Sequence, residues 1–522
     1  MPLAVELLTD IVAFGRSLHP IIILAVILFA FLTFSAIVQA VEWYVVELIQ
    51  RRLFVRIAGD LAYRLPRIQR SSHDTKYAPE LVNHFLDVVT VQKAVSTLLL
   101  DALALATVTM TGMVVLALFH PLLLGIDIVL VSMILLVLFV MGRGGTLTSI
   151  KESKVKYMMV AWLEGLARCN NTLKYAGGNK YAIEHTDHIA RKYLSARQTH
   201  FRILFRQIIF NLGLFAIGSA VFLAVGGYLV IQGQLSLGQL IAAELIVAII
   251  LGSVAKMGKH LESYYDLMAS VDKLGVLFDL PLERQDGLLS LPGNGGIELN
   301  LRNVCYGYRD GQAVLKKVSL KVKSGSSVGI CGPSGCGKST LAELLFGLRR
   351  ATSGIIELDG VDGSDLRPDI LRQHVSLVGP VEVISGTITE NVHLDRDEIN
   401  SSDVHVSLRQ VDLLDSVYLL PDGLETRLTA TGSPLSETQV RRLVLARAIA
   451  GRPRLLIIDA LLDALHDDQV LQLMSVLTAE ETPWTLVVFS GRQQILDCCD
   501  NILNLNEATS GQNNLKSEGG QP

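Results

Sequence analysis

The stretch GPSGCGKST, from Gly332 to Thr340, places small residues, a lysine and hydroxyl side chains in the order G-x-x-x-x-G-K-[ST]. It follows the apolar run SVGIC and precedes the helical pattern LAELLFGLRR. In that setting glycines let backbone N–H groups converge on phosphate oxygens, Lys338 reaches the outer phosphates and Ser339 offers a hydroxyl to Mg²⁺. The expected nucleotide contacts in this loop are Gly332, Ser334, Gly335, Gly337, Lys338, Ser339 and Thr340.

The stretch LLIIDALLDALHDD, from Leu455 to Asp468, has the pattern of a buried strand that ends in one carboxylate. Asp459 is therefore expected to join Ser339 as a ligand of Mg²⁺. A nucleotide hydrolase of this shape would keep a glutamate directly after that aspartate to activate water, and the residue here is Ala460. The two stretches together predict that ATP and Mg²⁺ bind, and they supply no base at the expected position.

Several further stretches resemble, in their order along the chain, the cytosolic domain of ATP-binding-cassette (ABC) exporters. They are VCYGYRDG around Tyr308, SGTITENV at 385–392, LPDGLETRL at 420–428, and LSETQVRRLVLARAIAGRPRLLIIDA at 435–460. The resemblance covers 20–505 and implies a half-transporter, in which two membrane halves form one pathway and two cassettes enclose two ATP molecules. It also implies that Tyr308 stacks on adenine and that the signature of each chain contacts the ATP of the other.

The chain departs from that family's pattern where the family keeps its catalytic groups. The signature at 435–439 is LSETQ rather than LSGGQ, so Glu437 and Thr438 replace two glycines. The coupling glutamine, the general base and the switch histidine fall at Gly379, Ala460 and Gly491. Because a positioned base alone contributes ~10²–10⁴-fold, no catalytic group is intact and hydrolysis at this chain's own site is predicted to be very slow. The signature residues still expected to contact the ATP of a partner chain are Ser436 and Gln439.

The part of the chain before the nucleotide-binding stretches has five apolar runs. They lie near 20–48, 96–119, 122–142, 204–231 and 236–257. Each is long enough to cross about 30 Å of hydrocarbon as a helix. Basic residues concentrate at 51–70 and 151–202, and the turns FHP and IQGQLSLGQ have no lysine or arginine. The positive-inside rule therefore places the cassette in the cytoplasm and the N-terminus outside. We expect a multi-pass protein of a bacterial inner membrane, in contact with lipid, with residues 1–19 as an interfacial amphipathic segment.

Few ionisable residues lie inside the apolar runs, and Glu244, in LIAAELIVAII, is the deepest of them. A carboxylate at that depth should face a cavity or a partner helix rather than lipid. Two interpretations stay open at this stage. Glu244 either makes a structural hydrogen bond between helices or lies on a substrate pathway.

Composition agrees with a membrane part joined to a soluble part. The chain has 522 residues, 50% of them hydrophobic, with a mean hydropathy of +0.42 and a net charge of -4. This charge gives no reason to expect nucleic acid as a partner. The predicted fold class is multidomain, an all-α transmembrane bundle of about five spans with long cytosolic helical extensions, followed by an α/β P-loop ATP-binding-cassette domain. The predicted parts are 1–19 (interfacial segment), 20–275 (exporter-type transmembrane domain), 276–296 (linker), 297–505 (cassette) and 506–522 (disordered tail).

The favoured hypothesis is a catalytically degenerate, ATP-binding half of a heterodimeric exporter, paired with a second half-transporter chain and moving an unidentified substrate. The altered signature counts against it, because this hypothesis needs that signature to complete the partner's site. One alternative is a nucleotide-sensing membrane protein that does not transport. Another is a homodimeric exporter ATPase with relocated catalytic groups, for which Asp463 and His466 are the candidate bases near Asp459.

Overall fold

The computed structural model describes residues 4, 6–7, 19–73, 83–308 and 313–506. Most of the predicted interfacial segment 1–19, and the predicted tail 506–522 after its first residue, lie outside the described residues. The chain divides into two units. One is formed by Met1–Ile68 with Ser72–Pro281, and the other by Gln69–Ser71 with Leu282–Pro522.

Most of the described residues before 279 are helical, and where such a segment crosses lipid it must satisfy its backbone N–H and C=O groups internally. The helices are α1 (His19–Arg64), α2 (Arg70–His73), α3 (Asp87–Thr97), α4 (Leu103–Phe119), α5 (Pro121–Leu135), α6 (Gly145–Arg168), α7 (Asn170–Ala176), α8 (Asn179–Ile231) and α9 (Leu237–Phe278). Short 3₁₀ turns at Leu65–Arg67 and Asn83–Leu86, and π-helical turns at Leu98–Ala102 and Leu136–Met141, adjoin these helices.

Five continuous helical stretches within the described residues are long and apolar enough to cross a membrane, as the sequence predicts. They are His19–Arg67, Asn83–Phe119, Pro121–Met141, Asn179–Ile231 and Leu237–Phe278. The fourth has 53 residues, which at 1.5 Å per residue is about 80 Å. A bilayer core is only about 30 Å thick, so this helix continues far beyond the membrane.

Side chains in the short turns between spans cap the N-terminus of the helix that follows each turn. Before α5, the Nδ1 atom of His120 accepts a hydrogen bond from the Leu122 N–H at 3.1 Å. Before α9, the Ser236 Oγ accepts from the Gln239 N–H, and the Gln239 side chain accepts from the Ser236 N–H, both at 3.0 Å. This capping box satisfies two of the free N–H groups at the start of the fifth span.

Outside the spans, α6 and α8 pack side by side and polar contacts set their register. The Thr148 Oγ1 lies 3.0 Å from the Nδ1 atom of His200, and the Trp162 Nε1 donates to the Thr186 Oγ1 at 2.9 Å. Residue numbers rise along α6 as they fall along α8, so the two helices are antiparallel.

The cassette alternates strands and helices. Its strands are β1 (Leu299–Gly307), β2 (Ala313–Val322), β3 (Ser327–Cys331), β4 (Ser353–Leu358), β5 (Val361–Asp362), β6 (Val375–Val378), β7 (Gly386–Thr387), β8 (Arg427–Leu428), β9 (Leu455–Asp459), β10 (Thr485–Phe489) and β11 (Asn501–Asn504). Its helices are α10 (Lys338–Leu345), α11 (Pro368–His374), α12 (Ile388–His393), α13 (Ser401–Gln410), α14 (Leu414–Tyr418), α15 (Glu437–Ala450), α16 (Asp467–Leu477) and α17 (Gln493–Leu496), with 3₁₀ turns at Gly423–Glu425 and Leu462–Ala464.

The central sheet of the cassette is parallel, in the order β11-β3-β10-β9-β6, and a separate antiparallel sheet has the order β2-β1-β4-β5. Alternate residues of β9 enter two different cores, Leu455 and Ile457 on one face and Leu456 and Ile458 on the other. A parallel sheet covered on both faces brings the carboxyl ends of its strands to one edge, where ligands bind. The predicted order, an all-α membrane region followed by an α/β domain, is confirmed.

Candidate nucleotide site

The loop between β3 and α10 has a backbone that requires glycine. Gly332, Gly335 and Gly337 have φ angles of 151°, 83° and 101°, which side chains with a Cβ rarely adopt. A Cβ on Gly337 would lie 2.8 Å from carbon atoms of both Leu315 and Val314. The loop is therefore a glycine-built turn at a helix N-terminus, the arrangement that binds phosphate groups.

Lys338 lies inside this turn. Its Nζ donates hydrogen bonds to the carbonyl oxygens of Gly332 at 2.7 Å and Pro333 at 3.1 Å. These bonds keep the ammonium group over the loop, where it can interact with phosphate oxygens. Ser334, also predicted as a contact, is exposed in the same turn.

Tyr308 is joined to the first turn of α10. Its hydroxyl lies 3.1 Å from the Oγ1 of Thr340, and its side chain keeps 37% of its surface exposed. The guanidinium carbon of Arg349 lies 4.9 Å from the centre of the Tyr308 ring. Sequence reasoning missed Arg349, and its only signal was the arginine pair that follows the helical run after the loop. The ring is thus anchored and partly exposed, as stacking on a base requires.

The start of α10 and the end of β9 meet at Ser339 and Asp459, where the Ser339 hydroxyl lies close enough to act on the Asp459 carboxylate. A hydroxyl and a carboxylate side by side fit Mg²⁺, which takes oxygen ligands. Burial raises the pKa of Asp459, whereas the nearby Ser339 hydroxyl and the charge of Lys338 act in the opposite direction. A cation bound there would compete with the proton for the same oxygens.

The three positions predicted to have lost catalytic groups lie at the same sheet edge. Gly379 directly follows β6, Ala460 directly follows β9, and Gly491 lies two residues beyond β10. A Cβ added to Gly379 or Gly491 would meet no atom within 4 Å, and Ala460 is exposed. The edge therefore has room for side chains at all three positions, but it has no acid or base at any of them.

The two candidate replacements for the base are placed differently. The Ser490 Oγ donates to one Asp463 oxygen at 2.5 Å, and the Gly491 N–H donates to the other at 3.4 Å. His466 is exposed just before α16. The Arg492 Nη1 also donates to the carbonyl oxygen of Asp463, at 3.3 Å, a contact that sequence reasoning missed. Asp463 and Arg492 tie the loop after β9 to the loop after β10.

Two family profiles match the chain. One, described as the ABC transporter transmembrane region, matches residues 1–254, and the other, described as ABC transporter, matches residues 315–461. The chain belongs to the ABC transporter family. It joins a membrane part and an ATP-binding cassette in one polypeptide, so it is an integral membrane protein with a cassette that, as is typical of the family, is cytoplasmic.

Curated relatives match only part of this ABC transporter chain. A multidrug efflux ATP-binding/permease protein of Mycobacterium tuberculosis is 30% identical over 55% of the chain and 24% of its own length. The uncharacterized ABC transporter ATP-binding protein YwjA of Bacillus subtilis is 30% identical over 54% of the chain and 49% of its own length. The alpha-hemolysin translocation ATP-binding protein HlyB of Escherichia coli is 31% identical over 46% of the chain and 34% of its own length. The chain thus matches half or less of the length of each of these relatives.

The fold has a counterpart in a solved structure, a bacterial Atm1-family ABC exporter with ATP bound. The two agree with a TM-score of 0.85 over 97% of this chain and 90% of that chain, at 22% sequence identity. At that identity the likeness shows the fold alone. This ABC transporter chain therefore has the exporter type of fold.

The segment LSETQ at 435–439, predicted to be an altered signature, leads into α15. The Ser436 Oγ accepts from the Gln439 N–H at 3.3 Å, and the Gln439 Oε1 accepts from the Ser436 N–H at 2.9 Å. Glu437 is 79% exposed, and its carboxylate accepts a hydrogen bond from Arg441 at 2.7 Å. Ser436 and Gln439 thus pair with each other, and the Glu437 carboxylate pairs with an arginine one turn away.

Glu244 lies half-buried in α9. Its Oε2 atom is buried and accepts no hydrogen bond from the residues that the structure describes. Asp127 in α5 is only 6% exposed and also has one carboxylate oxygen without a described partner. An unpaired buried carboxylate is expensive in a membrane, so Glu244 stays a candidate for both predicted roles, a contact with another helix and a place on the pathway.

Proposed function

We propose that this chain is the ATP-binding half of an ABC exporter, that its own site hydrolyses ATP slowly or not at all, and that it works with a second, hydrolytically competent chain. The observation that carries the proposal is the carboxyl edge of the parallel sheet. That edge keeps the groups that would bind a triphosphate with Mg²⁺, namely Lys338, Ser339 and Asp459. It has glycine or alanine where the catalytic side chains would lie.

Binding needs fewer groups than hydrolysis. The loop N–H groups and the Lys338 ammonium offset phosphate charge, and Ser339 and Asp459 would hold Mg²⁺, which neutralises the phosphates when it is bound. Hydrolysis also needs an acceptor for a proton of the attacking water. The methyl group of Ala460 cannot accept a proton. The site therefore supports retention of ATP more strongly than turnover.

Asp463 is a poor substitute for the missing base. Both of its oxygens already accept hydrogen bonds, from Ser490 and from the N–H of Gly491. A general base must have a lone pair directed at the water, so use of Asp463 would first require these bonds to break. This geometry favours the proposal over a homodimeric ATPase with relocated groups.

The proposal requires LSETQ, at 435–439, to contact a phosphate of the nucleotide bound by a partner chain. A carboxylate at Glu437 would repel a phosphate of the nucleotide bound by a partner chain. The Arg441 guanidinium, in a side chain that is 19% exposed, lies 2.7 Å from the Glu437 carboxylate and offsets its charge. Oppositely charged side chains four residues apart on a helix attract each other. The pair leaves the N-terminus of α15 close to neutral in side-chain charge, which keeps it usable for anion contact.

The relatives support export as the direction of transport. Their names describe multidrug efflux in one case and translocation of a hemolysin in another. Both processes move material outward, but the cargoes differ widely in size and chemistry. The proposal therefore includes outward transport and leaves the cargo open.

The decisive experiment is to tag this chain, purify its complex from the native membrane and identify every polypeptide. We expect two kinds of cassette chain in equal amounts, the second with a glutamate after its magnesium aspartate. The complex should hydrolyse ATP, and mutation of that glutamate should abolish the activity. A complex with one kind of chain that turns over at ~1 s⁻¹ or faster would establish a homodimeric ATPase instead. One kind of chain without activity would favour the nucleotide-sensing module.

A further inference from the structure

A groove of about 720 Å³ lies between α6 and the part of α8 that precedes its apolar run at 204–231. Its charged lining is wholly basic. Lys151 and Lys154 contribute from α6, Arg191 and Lys192 from α8, and no aspartate or glutamate is among the described residues that line it. Small residues such as Ala196 leave room between the two helices.

Most of this positive charge is not neutralised by the protein. Among the described residues, no carboxylate lies within 4 Å of the ammonium groups of Lys151, Lys154 or Lys192, whereas Arg191 pairs with Asp187 at 2.6 Å. The nearest acidic residue in the α6 sequence is Glu152. It does not line the groove, and it pairs with Arg197 at 3.2 Å. Uncompensated cations around a concave surface attract anions, because they focus the field there.

The distance of the groove from the bilayer determines whether a lipid headgroup or a soluble molecule can bind there. Arg206 Nη2 donates to the carbonyl oxygen of Met141 at 2.6 Å, so these two residues lie level with the end of the third span. At 1.5 Å per residue along the continuous helix α8, Lys192 is about 21 Å beyond Arg206. The headgroup layer extends only about 5–8 Å beyond the hydrocarbon. Most of the groove is therefore too far from the membrane for a lipid headgroup.

We propose that this groove is a binding site for a soluble polyanion that carries several phosphate groups. The volume accommodates a small phosphorylated molecule, and the lysines on the two helices approach it from both sides. The site is separate from the phosphate loop of the cassette. Binding there requires neither ATP hydrolysis nor a second kind of chain, so the inference does not rest on the proposed function.

The test uses the full-length chain in nanodiscs of zwitterionic lipid, with inorganic tripolyphosphate as the probe and calorimetry as the readout. All variants also carry Lys338→Ala, so that the phosphate loop does not contribute. Lys151→Gln with Lys154→Gln should weaken binding roughly 25- to 100-fold, because each nearby charge pair contributes roughly five- to tenfold at a protein surface. Lys151→Arg with Lys154→Arg should keep the affinity within about threefold of the Lys338→Ala parent, since the charges remain.

The matched control is Lys174→Gln with Lys180→Gln, which removes the same charge from exposed positions outside the groove. It should leave the affinity within about twofold, the range of ordinary surface charge effects. An equal loss in groove and control variants, or no loss in the groove variant, overturns the proposal. Nanodiscs with anionic lipid provide the second arm. Competition between that lipid and tripolyphosphate would show a headgroup site and would overturn the assignment to a soluble ligand.

Discussion

Replacing Ala460 by glutamate places a carboxylate directly after the aspartate that ends β9. The fold should accept the change. Ala460 is exposed, and its N–H donates to the Phe489 carbonyl oxygen at 3.0 Å. Its φ of 54° is the left-handed conformation, which costs roughly 1–2 kcal/mol for any residue with a Cβ. Alanine already bears that cost, so the free energy of unfolding should change by no more than about 0.5 kcal/mol.

The expected gain in turnover is smaller than a base alone would suggest. A positioned base contributes ~10²–10⁴-fold, which is about 3–5 kcal/mol of barrier. Gly491 still has no side chain to contact the γ-phosphate, and catalytic groups that act as a unit are strongly non-additive. We therefore expect Ala460→Glu to raise the rate roughly tenfold or less. Adding Gly491→His should multiply the rate beyond the product of the two single effects, and a Cβ at this position would meet no atom within 4 Å.

The assay is phosphate release under single-turnover conditions by the purified chain in nanodiscs. Ala460→Gln is the matched control, because it has the same shape as glutamate without the base. Wild type and Ala460→Gln should both stay near background, and Ala460→Glu should rise above them. The reasoning is refuted if the wild-type chain alone reaches ~1 s⁻¹, or if Ala460→Gln gains as much as Ala460→Glu.

The other predictions concern binding, pH and topology. Lys338→Ala should abolish most of the MgATP binding measured by calorimetry, because it removes the phosphate-facing cation. The control Lys323→Ala, on an exposed turn, should not. If Lys338→Ala binds MgATP as tightly as the wild type does, the loop is vestigial. Because burial raises the pKa of Asp459, acidification should protonate it at a higher pH than an ordinary aspartate, so Mg²⁺-dependent ATP affinity should fall as the pH falls. Asp459→Asn should bind more weakly and lose that pH dependence, and a variant that keeps it would point to another group. Gln234→Cys, in the turn between α8 and α9, should react with an impermeant maleimide in intact cells. The exposed native Cys169 should react only after lysis. The reverse pattern would contradict the predicted orientation, in which the cassette is cytoplasmic.

The sequence was most informative where geometry is local. The phosphate loop fits within nine residues, 332–340, and its glycines and lysine determine both the backbone and the charge, so its contacts could be read from the pattern. The spans were also predictable, because hydrocarbon allows only long apolar helices in this composition. Asp459 followed from one apolar run that ends in a carboxylate. These features depend on neighbours in the sequence rather than on tertiary packing.

Contacts between distant segments could not be predicted in this way. The bond from Ser490 to Asp463 joins residues 27 positions apart, and the contact of Thr148 with His200 joins residues 52 apart. Each depends on which strands or helices become neighbours and in what register. The basic groove between α6 and α8 is of the same kind. Its lysines were visible as a charged segment, but only the antiparallel pairing brings the two sets together around one space.

The residues predicted to bind nucleotide and the positions predicted to lack catalytic groups differ in what they do for the fold. Lys338 bonds to two carbonyl oxygens of its own loop, and Ser436 with Gln439 caps α15. Loss of such a cap costs about 1 kcal/mol, so these residues have a structural reason to persist whether or not they contact ATP.

Gly379, Ala460 and Gly491 lie instead at open positions, where larger side chains would contribute little to stability. Substitutions at such positions are close to neutral for folding, so only a demand for hydrolysis would have kept catalytic groups there. The joint absence of catalytic side chains at these three positions therefore supports a site without turnover. The presence of Ser436 and Gln439 is weaker support for contact with a partner's nucleotide. Ser339 with Asp459 bears most directly on binding, because a hydroxyl beside a half-buried carboxylate serves a cation better than it serves a core.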